Sequence, residues 1–332
     1  MRNISAFAKL ANDTYTGEIA RFNHEDGRAM SIADGQASIN EAIINACGGQ
    51  WSYRNFQANK NAVFALIEEA MEVIVPKNLE QMLSFAEIKN TNFGDTLSFT
   101  ITDDKNFKVA SVCAGNGDLR RQTILNRKLT LVPEKMGVKF YVELENLLAG
   151  RVDWNVFVDR LLKSMADEVM VRVHKALTAG YNQLGAKYKV AGTFEEEKLI
   201  ELVSRVKART NGDVKIYGTL KALGKISNIE KSGEIGKADM YHKGYVGKFF
   251  GTAVEELQQV IDGEDNFVLT DDLILVVPVD GESIVKVGIE GTPIIIEAKD
   301  GARTDLSEEY TMIQSVAVAA VVSNNFGAYE LS

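Results

Sequence analysis

A chain of 332 residues exceeds the size at which a single core usually stops growing, so two lobes or one elongated protomer are expected. Its 45% hydrophobic and 25% charged residues are those of an ordinary soluble protein, and a net charge of −9 argues against a dedicated nucleic-acid binder, because phosphate contacts need surplus Lys and Arg. Cys47 and Cys113 lack metal spacing and read as free thiols of a reducing compartment, and no run approaches the ~20 apolar residues of a membrane span.

Residues 1–60 mix apolar side chains with Gly, Asn, Asp and Ser and predict an irregular N-terminal arm with short helices. The opening Met-Arg-Asn-Ile-Ser has no apolar h-region, so synthesis and folding in a cytoplasm are expected. Val63, Leu66, Ile67, Ala70, Met71 and Ile74 then form a helical stripe over 61–75, predicted to end before Pro76.

From Phe93 the period changes to two. Thr96–Ile101 alternates polar and apolar residues, Asp103-Asp104 marks a turn, and Phe107–Ala110 continues the pairing. A second turn at Gly115-Asn116-Gly117-Asp118 precedes strands over Arg121–Val132 and Val138–Leu144. The stretch lacks the large apolar residues that would close a core of its own, so it must lean on another surface.

After Gly150 comes one long helix. Asp153 is its N-cap candidate, and Trp154, Phe157, Leu161, Met165, Val169, Val173, Leu177 and Tyr181 make one continuous stripe. Asp159, Arg160, Lys163, Asp167 and Arg172 fill the wet side, and Gly180 or Gly185 ends a rod of roughly 40 Å.

Residues 194–280 read as a compact α/β lobe. Thr193-Phe-Glu-Glu196 and Thr252-Ala-Val-Glu255 both fit a capping box before a helix. Val214–Gly218 reads as a strand, Leu220–Ile229 as a short helix, and Phe267–Leu269 and Leu273–Val277 as buried strands. The last fifty residues predict long strands over Ile284–Ile289, Pro293–Ala298 and Tyr310–Val322, the last buried against the long helix.

Signatures of chemistry are missing. Walker A, HExxH and GxSxG motifs are not found, Gly115-Asn-Gly117 lacks the third glycine of a dinucleotide loop, and Asp262-Gly-Glu264-Asp265 falls short of a calcium loop. His174, on the long helix, reads as structural. No catalytic, cofactor-binding or metal-ligating residue is expected.

Charge distribution is more informative. Asp104–Lys139 holds eight Lys or Arg against three Asp or Glu, a surplus of +5, whereas Glu255–Met312 holds three against fifteen, a deficit of −12. Arg120, Arg121, Arg127 and Lys128 on the hairpin, and Asp271 and Asp272 on the acidic stretch, are therefore candidate contacts between subunits, with opposite charge steering encounter and register.

The order of these elements, with the ending Glu308-Glu309-Tyr310 … Val316-Ala317-Val318 … Asn324-Asn325-Phe326-Gly327-Ala328, resembles the major capsid protein of tailed bacteriophages with the Hong Kong 97 type fold. The resemblance implies an α+β chain with an extended β-hairpin loop, a long spine helix, an axial α/β lobe and a peripheral lobe. On it, 1–60 is the arm, 61–152 begins the peripheral lobe with the hairpin loop at about 83–145, 153–193 carries the spine helix, 194–283 is the axial lobe, and 284–332 returns to the peripheral lobe. It further implies self-assembly as pentamers and hexamers into an icosahedral shell around double-stranded DNA, in a virion built in a bacterial cytoplasm. A separate scaffolding protein, a portal, and weak non-specific contact with packaged DNA are the expected partners, with no membrane. Two alternatives stay open at this point: an encapsulin-like nanocompartment shell, and a cytoplasmic α+β hydrolase using a metal at Asp271 and Asp272.

Overall fold

The computed structural model describes residues 6–22, 28–50, 52–101, 109, 121–122, 126–142, 154–226, 234–261, 264–279, 282–297, 308–322 and 326–331. Three helices come first: α1 Ala6–Tyr15, α2 Ile32–Ala46 and α3 Tyr53–Met82. A capping box starts α2, in which the Asp34 N–H donates to Ser31 Oγ at 3.2 Å and the Ser31 N–H donates to the Asp34 carboxylate at 2.8 Å. The first sixty residues are thus more regular than the expected irregular arm. Ala11, Ile43, Cys47 and Phe56 are buried in the same core as α3.

Contrary to the expected stop, α3 runs through Pro76. Its stripe continues to Leu79 and Leu83, each 1% exposed, and burying both outweighs the one amide donor that a proline lacks.

Four strands form a sheet in the order β1 Ala86–Thr91, β10 Val285–Glu297, β11 Glu308–Ala320 and β4 Glu134–Val142. β1 runs parallel to β10, and the other pairs are antiparallel. The runs expected as separate strands at Ile284–Ile289 and Pro293–Ala298 are one strand, irregular between Glu290 and Ile294. Gln314 of β11 is 2% exposed and donates from Nε2 to the carbonyls of Glu290 and Gly291, which satisfies the backbone that this irregularity frees.

The sheet's two faces differ. Val285, Val287, Ile289, Tyr310, Met312 and Val316 join the main core, whereas Lys286, Gly288, Glu290 and Ala317 alternate with them and point away from it. Across the core face lies α4 Trp154–Gln183, the helix that the spacing predicts, packed on β11 and α3. Leu162, Ala166 and Met170 are buried alongside the expected Leu161, Met165, Val169, Val173, Leu177 and Tyr181, so α4 hides a face wider than a single stripe. The side chains of Trp154 and Phe157 lie outside those described. Gly180 faces β11 without being required there, since a Cβ would make an ordinary contact at 3.6 Å from that of Ala320.

From β1 and β4 a two-stranded ribbon departs, β2 Ser98–Ile101 paired antiparallel with β3 Arg127–Thr130. Strand β4, expected within the loop, is instead an edge strand of the sheet. Asp103-Asp104, the Gly115-Asn-Gly117 turn, Cys113 and Arg120 fall outside the described residues.

The second lobe has six strands in the order β5 Lys189–Gly192, β12 Gly327–Leu331, β9 Leu273–Pro278, β6 Val214–Gly218, β8 Thr252–Glu256 and β7 Lys248–Phe249. Helices α5 Glu196–Thr210, α6 Leu220–Ile226 and α7 Glu234–Lys243 complete it. Both capping boxes expected here are corrected. Glu195, not Thr193, is the N-cap of α5 and makes no side-chain cap. The Tyr329 hydroxyl instead fixes the approach to α5, accepting the Glu195 N–H at 2.9 Å and donating to the Thr193 carbonyl at 2.6 Å. Thr252 opens no helix; it begins β8, where Thr252 and Val254 are buried in alternation and pairing to β6 satisfies the backbone.

Candidate assembly surface

The ribbon's root has only a small apolar cluster of its own. Leu97, 1% exposed, and Phe99, 2% exposed, pack with Leu129, Leu131 and Ala317, apart from the main core. They cover the outer face of the four-stranded sheet, the face that carries Lys286, Gly288 and Ala317. Gly288 makes the room: a Cβ there would lie 1.9 Å from Leu97 Cδ2. Gly291, at φ 67, accommodates the Phe93 ring in the same manner, with a Cβ separation of 2.3 Å.

Charges brace this packing. Lys286 is 1% exposed and its ammonium is held by the Glu87 and Glu282 carboxylates. Lys89 Nζ donates to the Ser98 carbonyl at 2.8 Å. Both ammonium groups also lie over Phe99, at 5.8 Å from its centroid for Lys89 and 5.9 Å for Lys286. At the ribbon's base the Gly94 N–H donates to the Glu290 carboxylate at 2.9 Å.

Of the candidate contacts, Arg121 is exposed, and Arg127 and Lys128 are exposed on β3 opposite Ile101 and Thr100. Arg120 lies outside the described residues. Asp271 and Asp272 sit on the other lobe, just before β9, and both bond within their own subunit. Asp271 accepts from Thr219 Oγ1 at 2.9 Å, Gln259 Nε2 at 3.1 Å and Lys221 Nζ at 3.3 Å, while Lys225 pairs with Asp272 at 3.2 Å. Asp271 thereby orients Thr219, whose hydroxyl accepts the Ala222 N–H at the start of α6.

This internal pairing is general along the acidic stretch. Lys215 meets Glu255 at 2.5 Å, Lys60 meets Glu297 at 2.7 Å, and Lys139 of the basic segment meets Glu309 at 2.5 Å. A deficit of −12 along the sequence is therefore partly cancelled in space by lysines from elsewhere in the chain. Linear charge counts cannot register that, because pairs such as Lys60 with Glu297 join distant segments.

Beyond an apolar core that both lobes share, polar joints tie them together, two of them at Ser84 and at His174. Ser84, following α3, has its hydroxyl 2.8 Å from that of Tyr217 of β6, and the Phe85 ring packs tilted against the Tyr217 ring with centroids 4.9 Å apart. Burial and the neighbouring Glu255 carboxylate push the Tyr217 phenol up to about 12. The second joint links His174 of α4 to Thr270. Sequence reading missed the first joint and the Lys286 cluster; the apolar neighbours of Lys286 on β10 were the one available signal, since a lysine inside such a strand must be paired. Among the described residues no group of three His, Cys, Asp or Glu gathers as a metal site.

A long helix laid along a four-stranded sheet, a ribbon leaving that sheet, and a second six-stranded lobe make up the Hong Kong 97 type fold of phage major capsid proteins. The chain belongs to the family described as SPbeta prophage-derived putative capsid protein YonB, which it matches over residues 6–330, and it is a major capsid shell protein. No curated protein matches the sequence. Among solved structures, the satellite phage P4 procapsid including size determination (Sid) protein is similar with a TM-score of 0.53 at 8% identity, covering 78% of this chain and 90% of that one. A Microbacterium phage Oxtober96 structure matches with a TM-score of 0.49 at 12% identity, over 76% of this chain and 90% of that chain. The bacteriophage PhiM1 mature capsid gives 0.45 at 11% identity, over 75% and 86%.

Proposed function

We propose that the protein assembles as pentamers and hexamers into a closed icosahedral shell around a double-stranded DNA phage genome, and that it performs no catalysis. The observation that carries this reading is the capsid-family match across nearly the whole chain. The fold supports it physically, because a ribbon with a small cluster at its root and basic residues exposed along it is built to meet another molecule. In a shell each subunit would clasp several neighbours, so many modest contacts together make the closed state far tighter than any pair.

In this reading 194–283 is the axial lobe around five-fold and six-fold positions. Residues 1–60, 61–152, 153–193 and 284–332 supply the arm, the peripheral lobe with its loop narrowed to the stretch between β1 and β4, the spine and the returning strands. Arg120, Arg121, Arg127 and Lys128 meet a neighbouring subunit. Asp271 and Asp272 act on the neighbour only through charge left over from their own lysines, which makes them the weaker half of the contact. A scaffolding protein and a portal join assembly in the host bacterial cytoplasm, and packaged DNA touches the wall weakly and without sequence preference. Among the described residues no helix is long and apolar enough to cross a membrane.

Expression of the chain alone and with its neighbouring phage genes, followed by size exclusion and negative-stain microscopy, tests this. Capsomers or megadalton shells are the expected products. Elution only as a small oligomer under both conditions would overturn the proposal.

A further inference from the structure

The outer face of the four-stranded sheet carries an arrangement that folding of the subunit alone does not require. Sheet positions facing away from a core are ordinarily polar and solvated, yet here Lys286 is 1% exposed and Gly288 interrupts a strand otherwise rich in Val and Ile. Both are explained by the ribbon above them. Leu97 occupies the space that any side chain at position 288 would fill, and Phe99 lies beside Lys286 and Lys89. Leu131, just after β3, donates its N–H to the Leu97 carbonyl at 2.9 Å, so both legs of the ribbon are tied to the plugged position. Glu290 fixes the Gly94 amide, and Phe93 occupies the notch at Gly291.

We infer that the Gly288 notch and its Leu97 plug, braced by Lys89 and Lys286 around Phe99, set the direction in which the β2–β3 ribbon leaves the subunit. Gly288 is thereby a positioning residue for shell assembly. The inference rests on the shell-forming reading above and deepens it. The ribbon is held at several points spread over three strands, β1, β10 and β11, and a rigid root converts a small displacement there into a larger one at the ribbon's far end. In a closed shell, whose curvature depends on how each subunit meets the next, that displacement changes closure rather than folding.

Two variants in the full-length protein test it. Gly288→Ala places a methyl against Leu97, and Lys89→Ala removes an exposed brace without touching the core. Thermal melting reports folding, hydrogen exchange at the Leu131 amide reports the seating of the ribbon, and microscopy of co-expressed particles reports assembly. Expected results are cooperative melting in both variants, faster exchange at Leu131, and loss of particles or a broadened distribution of diameters. Gly288→Ala with Leu97→Ala should recover part of the wild-type particle population, which a purely destabilising change would not. Unchanged Leu131 exchange in both variants would overturn the seat whether or not shells form. Faster exchange with wild-type particles in normal yield would overturn its role in assembly. Failure of the wild-type protein to form shells would instead remove the proposed function, leaving the exchange result to judge the seat on its own.

Discussion

His174 Nε2 accepts the backbone N–H of Thr270 at 3.0 Å, with the Thr270 hydroxyl 2.7 Å from the same nitrogen. Since Nε2 is the acceptor, the ring's proton belongs on Nδ1, and a doubly protonated ring would lose the bond that joins the spine helix to the axial lobe. Burial holds the His174 pKa below its ordinary 6.5. The unfolded chain therefore takes up this proton first as pH falls. The joint's contribution is complete above pH 6.5 and is lost as pH drops through and below that value. Urea midpoints measured from pH 7.5 downward should decline less steeply in His174→Asn than in the wild type. Identical slopes would count against the joint.

Lys286 is the most deeply buried charge among the described residues, and its removal strands carboxylates. Lys286→Met should destabilise the subunit by about 2–4 kcal/mol, chiefly through Glu282, whose side chain is 12% exposed, and less through the half-exposed Glu87. Adding Glu282→Gln and Glu87→Gln should restore much of the loss. Equilibrium unfolding of the subunit reads both outcomes, and wild-type stability in Lys286→Met would show that the cluster carries no net weight.

Tyr329 is fully buried, and its hydroxyl serves both Glu195 and Thr193. Tyr329→Phe keeps the ring and removes two hydrogen bonds, for an expected cost of about 1–3 kcal/mol. Hydrogen exchange at the Glu195 amide should accelerate, because that N–H loses its acceptor. Unaltered exchange would mean that water substitutes for the hydroxyl.

Reversing Arg120, Arg121, Arg127 and Lys128 to Glu tests the ribbon's charge. The described three are exposed, so subunit stability should change by no more than about 0.5 kcal/mol per site. Particle formation should fail. Normal assembly would show that shape rather than charge carries the ribbon's contact.

Much of this architecture is written locally. The stripe on α4 and the alternation of β11 follow from spacing alone, because each element must bury a continuous face. Local patterns misled where tertiary partners overrule them. Pro76 reads as a stop because the worth of burying Leu79 and Leu83 is not a local property. Thr252-Ala-Val-Glu255 satisfies a capping box and a strand equally, and only the presence of β6 alongside decides. The Leu97 plug was illegible for a further reason: Gly288 lies some 190 residues away, and a glycine marks a notch only once the side chain that fills it is known.

Strand β12 separates β5 from β9 in the axial sheet, and β5 has no other strand partner among the described residues. A ribosome adding about 5–20 residues per second reaches Gly327 on the order of ten seconds after it has made Lys189. For that interval the sheet ends early and the nascent lobe has an unfinished edge. A polypeptide not yet extended through Gly327 therefore lacks a complete six-stranded sheet, and β5 can find its place only after β12 has been made.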